Sequence, residues 1–138
     1  MNISVSHAQA PGRVPVAVVK LDGQLDGQSY QDLINKGQEL FKAGAHDFLL
    51  DLSDLTYISS AGLVALHSLA LLTRSEPLPD TEGGWSAYRS MGRSSEAGIQ
   101  QHVKLLNPRS EVMGVLDMVG FGNVFEIYTN PDEAINSF

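Results

Sequence analysis

Residues 48–72, FLLDLSDLTYISSAGLVALHSLALL, constrain the fold more than any other part of the chain. The run Phe48-Leu49-Leu50-Asp51-Leu52 has the length and bulk of a buried strand. The polar pair Ser53-Asp54 reads as a short turn and is followed by Leu55-Thr56-Tyr57-Ile58. Ser59-Ser60-Ala61-Gly62 then opens an apolar helical pattern that carries Leu63, Leu66, Leu69 and Ala70 on one face. Val64, Ala65, Leu71 and Leu72 make the rest of that helix apolar too, so it is either buried or turned toward a partner. A hydroxyl pair therefore sits where a strand hands over to a helix, and that junction is the place to look for chemistry.

Strands and helices alternate on both sides of this unit. Val14-Pro15-Val16-Ala17-Val18-Val19-Lys20-Leu21 is a β-branched strand, with Pro15 near its start, where a missing N–H does least harm. An edge strand around residues 2–6 precedes it, and Asp22-Gly23 reads as a turn after it. Tyr30, Leu33, Ile34, Leu40 and Phe41 recur at helical spacing over residues 28–43. Asp26 or Ser29 would cap that helix, and Gly44 would end it. Gly37 falls on its apolar face, which suggests close packing on a sheet. Val103-Lys104-Leu105-Leu106 is a further strand, and Ser110 reads as the cap of a helix striped by Val112, Val115, Leu116 and Val119. Val124-Phe125-Glu126-Ile127-Tyr128 is a last strand, and Asn130-Pro131-Asp132-Glu133 begins a last helix. The order β-β-α-β-α-(insert)-β-α-β-α implies an α/β domain with a mainly parallel sheet of four to five strands and about four helices. Residues 74–101 are the insert: they carry two prolines, four glycines and five serines and break the alternating pattern. Trp85, Tyr88 and Met91 fall at a spacing of three, with Arg89 and Arg93 nearby, which allows one short amphipathic helix, so the insert reads as a flexible loop or as a partner-docking arm. Ser94 and Ser95 add a weak signal for modification.

Composition narrows the functions open to this fold. The 138 residues suit one domain, spanning 1–138, and about two thirds of the unfolded surface can be buried at that size. The absence of cysteine removes disulfides, thiolate chemistry and cysteine-ligated metals. His7, His46 and His102 are isolated, so no metal-ligand spacing exists and no metal or cofactor is expected. The formal net charge of −7 disfavours nucleic acid and anionic membranes and points to protein partners. No run of about 18 apolar residues is present, and the start MNISVSHAQAPGR has no signal-peptide pattern, so a cytoplasmic protein without membrane insertion is expected. Enzyme chemistry lacks parts as well. Ser60 and His67 share a helical face but are separated by about 10 Å along its axis, against the roughly 3 Å a nucleophile and base require. There is no G-x-S-x-G elbow, no phosphate-binding glycine loop, and no acidic cluster of the response-regulator kind.

Three segments together resemble the STAS domain family, named for sulphate transporters and anti-sigma factor antagonists. They are Leu21-Asp22-Gly23-Gln24-Leu25-Asp26, Phe48-Leu49-Leu50-Asp51-Leu52-Ser53, and Tyr57-Ile58-Ser59-Ser60-Ala61-Gly62-Leu63. Val115-Leu116-Asp117-Met118-Val119-Gly120-Phe121 is similar to the family's third helix. In the small bacterial members, a serine at the start of the second helix is phosphorylated by a partner serine kinase that is also the anti-sigma factor, of the histidine-kinase-like ATPase type. A PP2C-type phosphatase resets it. The resemblance implies Ser60 as the phosphorylation site, with Asp26, Ser59, Ala61, Gly62 and Leu63 shaping a partner-binding surface. Antagonists often carry Asp-Ser-Ser-Gly here, whereas this chain has Ser59-Ser60-Ala61-Gly62. The bland alternatives stay open: Ser59 or Ser60 as a plain helix cap, Asp26 as the cap of the first helix, and Gly62 as a packing glycine. The expected function is a phospho-switchable protein-binding regulator. The alternatives are an unphosphorylated accessory subunit of a transporter, or a sensor or scaffold module holding a homodimer or larger complex.

Overall fold

The computed structural model describes residues 1–12, 14–74 and 100–138; of the expected insert, residues 75–99 lie outside the described residues. Five strands form one sheet in the order β1-β2-β3-β4-β5: Asn2–Ala10, Val14–Leu25, Phe48–Ile58, Gln100–Leu106 and Phe125–Tyr128. β1 runs antiparallel to β2, and all later neighbours are parallel. Among the described residues four helices accompany them: α1 (Tyr30–Lys42), α2 (Ser60–Thr73), α3 (Ser110–Met118) and α4 (Pro131–Asn136). A single 3-10 turn, Phe121–Asn123, leads into β5.

Strand alternation divides the core. Ala17, Val19 and Leu21 of β2, Phe48, Leu50 and Leu52 of β3, and Val103 and Leu105 of β4 point to one face. There they pack with Leu33 and Ile34 of α1, Leu66 and Leu69 of α2, and Val112 and Leu116 of α3. Val16, Leu49 and Leu106 point the other way and meet Ala134 of α4. The continuous apolar run at the start of β3 thus reflects a strand covered on both faces, as parallel sheets require. Each fully buried leucine contributes on the order of 2 kcal/mol. α2 is buried from Gly62 to Leu71 because its surroundings leave no solvent side.

Several local expectations change. Ser53-Asp54 is not a turn, and neither is Asp22-Gly23; β3 and β2 run straight through both. The polar pairs mark bulges. Lys20 pairs with Asp51 but Asp22 pairs with Asp54, and Gly23 pairs with Leu55 but Gln24 with Tyr57, so β3 twice holds one residue more than β2. Gly23 meets the distortion with a φ of 116°, open to glycine. Asp51 Oδ1 accepts hydrogen bonds from Ser53 N (3.0 Å) and Ser53 Oγ (2.6 Å), a local pairing whose sequence signature is the same as that of a turn. β1 extends to Ala10 rather than ending near Ser6, β4 starts at Gln100, and α1 starts at Tyr30. Arg109, not Ser110, occupies the cap position of α3. Gly37 packs on α2 instead of the sheet: a Cβ there would overlap Leu69 Cδ2.

The bulged ribbon positions the site. β3 pairs with β4 only as far as Asp51, but with β2 as far as Ile58. Residues 52–58 therefore project past β4 with β2 as their pairing neighbour, and the β3–α2 junction sits at the tip.

Candidate functional site

The last pair of the ribbon, Leu25 with Ile58, sets the junction. Ser59 N donates to Leu25 O at 2.9 Å, which ties the start of α2 to the end of β2. Asp26 and Ser59 each follow this pair by one residue, so the two loops expected to share a surface leave the sheet side by side.

Ser59 and Ser60 have different roles. Ser59 is extended (φ −97°, ψ 177°) and is the N-cap: its Oγ accepts from Gly62 N at 3.3 Å. Ser60 is the first residue of α2, and its side chain is exposed. Leu63 N donates to Ser59 O in the first helical bond, while the N–H groups of Ser60 and Ala61 precede any intrahelical acceptor. The hydroxyl that caps and the hydroxyl that faces solvent are thus separate groups.

Gly62 permits the close approach. A Cβ built on it would lie 2.7 Å from Leu25 O, 2.7 Å from Ile58 Cγ1 and 3.0 Å from Leu25 Cγ. No other residue lets the first turn of α2 rest directly on the end of β2. Ala61 is half-buried, and Leu63, expected on the docking surface, is 3% exposed and belongs to the core.

Asp26 is a partly exposed cap of the loop into α1. Its Oδ1 accepts from Gln28 N (2.9 Å), Ser29 N (3.2 Å) and Ser29 Oγ (3.2 Å). Ser29 Oγ also accepts from Asp26 N at 3.0 Å, and its one proton is shared between Asp26 Oδ1 and Gln24 O, the latter at 2.8 Å. The Gln28 N–H above all, with help from Ser29, holds the Asp26 carboxyl below its ordinary value. Asp26 therefore ties the loop before α1 instead of capping the helix; Ser29 holds the N-cap position of α1 and makes no side-chain cap bond to it.

Around the tip, Tyr57 is 50% exposed and Thr56 Oγ1 donates to Gly23 O at 2.9 Å. Lys20 Nζ meets Asp54 Oδ2 at 2.9 Å, and Asp54 raises the lysine's pKa. Arg109 Nε donates to Ser53 O at 3.0 Å. Among the described residues no group of three or more His, Asp or Glu is arranged to hold a metal. His67 lies in the buried part of α2, whereas Ser60 is exposed.

A second polar cluster, centred on Lys104, has no motif in the sequence to mark it. Lys104, 4% exposed, points from β4 to the α4 side of the sheet. Its Nζ donates to Ser137 O (3.0 Å) and Ser137 Oγ (2.9 Å), pairs with Glu126 Oε2 (2.9 Å) and lies 4.7 Å from the Phe138 ring centre. Lys104 first, with Tyr128 adding a hydrogen bond, holds the Glu126 carboxyl below its ordinary value. The available signal was a lysine inside an apolar parallel strand, a position that demands partners for its charge.

Comparison with known proteins places this geometry. The family model described as "Mlab, STAS domain" matches residues 9–78, a little over half of the chain, including Asp26 and the whole β3–α2 junction. The chain belongs to the STAS domain family. None of the curated proteins matches it. Among solved structures it is similar to a candidate anti-sigma factor antagonist from Thermotoga maritima, with a TM-score of 0.63 and 18% identity over 95% of this chain and 91% of that one. An anti-sigma factor antagonist from Mycobacterium paratuberculosis also has a TM-score of 0.63, with 15% identity over 99% and 93% of the two chains. The Bacillus cell fate determinant SpoIIAA, in its phosphorylated form, has a TM-score of 0.55 and 18% identity over 98% and 97%. At these identities the likeness establishes a common fold: a mixed five-stranded sheet with helices in nearly the expected order.

No helix among the described residues is long and apolar enough to cross a membrane.

Proposed function

We propose that the chain, as one STAS domain over residues 1–138, is a phospho-switchable binding module of the anti-sigma factor antagonist kind rather than an enzyme. It acts in the cytoplasm, and Ser60 is the acceptor. With Ser60 unmodified, the surface made by Asp26, Ser59, Ser60 and Ala61 binds a serine kinase/anti-sigma factor of the histidine-kinase-like ATPase type; a PP2C-type phosphatase restores that state. Gly62 and Leu63 support the surface from beneath, and Tyr57 extends it with an exposed aromatic ring.

The observation that carries this reading is the division of labour at the junction: Ser59 caps the helix, leaving the Ser60 hydroxyl exposed in the first turn. A phosphate on Ser60 gains from the unpaired first-turn N–H groups and the positive end of the helix dipole. Phosphorylation then leaves α2 intact while adding about −1.5 to −2 charges to a docking surface. The release of the partner is electrostatic rather than an unfolding event.

The test is phosphopeptide mass spectrometry on protein purified from its own cells, with pull-downs using wild type, Ser60→Ala and Ser60→Glu. Phosphate on the Ser60 peptide, retention of a kinase-like partner by Ser60→Ala and its loss by Ser60→Glu are expected. Absence of phosphate under every growth condition, with Ser60→Glu binding unchanged, overturns the proposal. Recovery of a transporter ATPase instead favours an accessory subunit.

A further inference from the structure

Among the described residues β1 is an outer strand of the sheet and pairs on one side, with β2. Natural edge strands are kept apart by charged side chains, proline, bulges or short length. β1 has none of these. Its nine residues, NISVSHAQA, contain no Asp, Glu, Lys, Arg, Pro or Gly. They hold unbroken register with β2 from Asn2 opposite Asp22 to Ala10 opposite Val14, so no bulge twists the edge away. Asn2, Ser4, Ser6, His7 and Gln9 are exposed. The opposite edge differs: β5 has four residues and carries the charged Glu126.

We infer that β1 is a homodimer edge, pairing antiparallel with β1 of a second copy about a two-fold axis at Ser6 to give a continuous ten-stranded sheet. Three features favour a second copy over another partner. An axis at Ser6, the middle residue, is the one that pairs all nine residues. It sets Ser6 opposite the partner's Ser6, Ser4 opposite the partner's Ala8 and Val5 opposite the partner's His7, so small residues meet on one face and Val5 covers the imidazole on the other. The charge is also suited to it. Each chain carries −7, and association of two such chains is opposed unless the contact is neutral. The nearest charged residues of β2, Lys20 and Asp22, lie one strand back opposite Ser4 and Asn2, and Lys20 is already paired with Asp54. The interface is isologous, as two-fold closure requires, and its main-chain hydrogen bonds follow the β-augmentation mode. It uses nothing from the Ser60 junction.

Sedimentation velocity of the full chain, from about 1 to about 200 µM, reads the monomer–dimer equilibrium. Wild type is expected to dimerise in this range. Ser6→Lys and Ser6→Glu each place like charges directly opposite across the axis and should weaken dimerisation at least about tenfold. An equimolar mixture of the two, one of them ¹⁵N-labelled, should restore a dimer that native mass spectrometry identifies as the heterodimer. Far-UV circular dichroism of each variant separates loss of pairing from loss of fold, and Ser6 is exposed, so the fold should persist. A wild type that stays monomeric throughout, single variants that dimerise like wild type, or a mixture that fails to form the heterodimer overturns the inference.

Discussion

Gly62→Ala measures how tightly α2 rests on the end of β2. The added methyl would lie 2.7 Å from Leu25 O and from Ile58 Cγ1. Ile58 is in the core and Leu25 O is already held by Ser59 N at 2.9 Å, so neither gives way cheaply. Overpacking of this kind costs about 1–3 kcal/mol. Alanine regains up to about 1 kcal/mol over glycine in a helix interior, and less in the first turn. The net expectation is a loss of about 1–2 kcal/mol, or a fall in Tm of roughly 3–7 °C for a chain of this size. Gly114→Ala is the matched control: Gly114 lies in α3 with no atom within 4 Å of the added methyl, so the same substitution should stabilise by about 0.5–1 kcal/mol. Urea denaturation of both variants, with unchanged m-values, reads the two effects directly. If Gly62→Ala matches or exceeds wild type in stability, the close approach of α2 to β2 does not hold and the site geometry built on it fails.

Other predictions follow from the same contacts. Ser59→Ala removes the α2 cap and should cost about 0.5–1 kcal/mol, the lower part of the capping range because the bond is long at 3.3 Å; Ser60→Ala should leave the urea midpoint nearly unchanged. Lys104→Met strips Ser137 and Glu126 of their shared donor. It should destabilise by about 1–3 kcal/mol, with Glu126 still partly solvated, and hydrogen exchange at Ala134 and Ile135 should accelerate before exchange in the strands. The Glu126 carboxyl is held below its ordinary value in the folded state, so its contribution is present above its unfolded pKa and is lost as the pH falls through the folded one. Thermal melts between about pH 6 and pH 3 should therefore fall less steeply for Glu126→Gln than for wild type; equal slopes would falsify the Lys104–Glu126 link.

The element order and the parallel core were legible in the sequence because they rest on short-range patterns, and so was the strand-to-helix junction proposed as the site. The apolar runs at Phe48-Leu49-Leu50 and Val103-Lys104-Leu105-Leu106 have strand length, and residues 60–73 have helical length with apolar residues on all sides. The Ser59-Ser60-Ala61-Gly62 segment marks a helix start by its residue types alone. The bulges were not legible. Asp22-Gly23 and Ser53-Asp54 carry the residues of turns, and only the pairing of β2 with β3 keeps them in strands: main-chain bonds to a neighbouring strand outweigh the local preference.

The site shows the same division. Sequence alone determined that a hydroxyl pair stands at the β3–α2 junction and that an acid follows β2; the pairing of Leu25 with Ile58 sets the two side by side. Only the tertiary structure decided which hydroxyl caps and which is free, because capping depends on the extended backbone of Ser59 and its tie to Leu25 O. It also withdrew Leu63 into the core, engaged Asp26 with Gln28 and Ser29, and gave Lys104 its partners on β5 and beyond α4. These are contacts between side chains and segments distant in the chain, and residue type specifies the need for a partner without specifying which one is in reach.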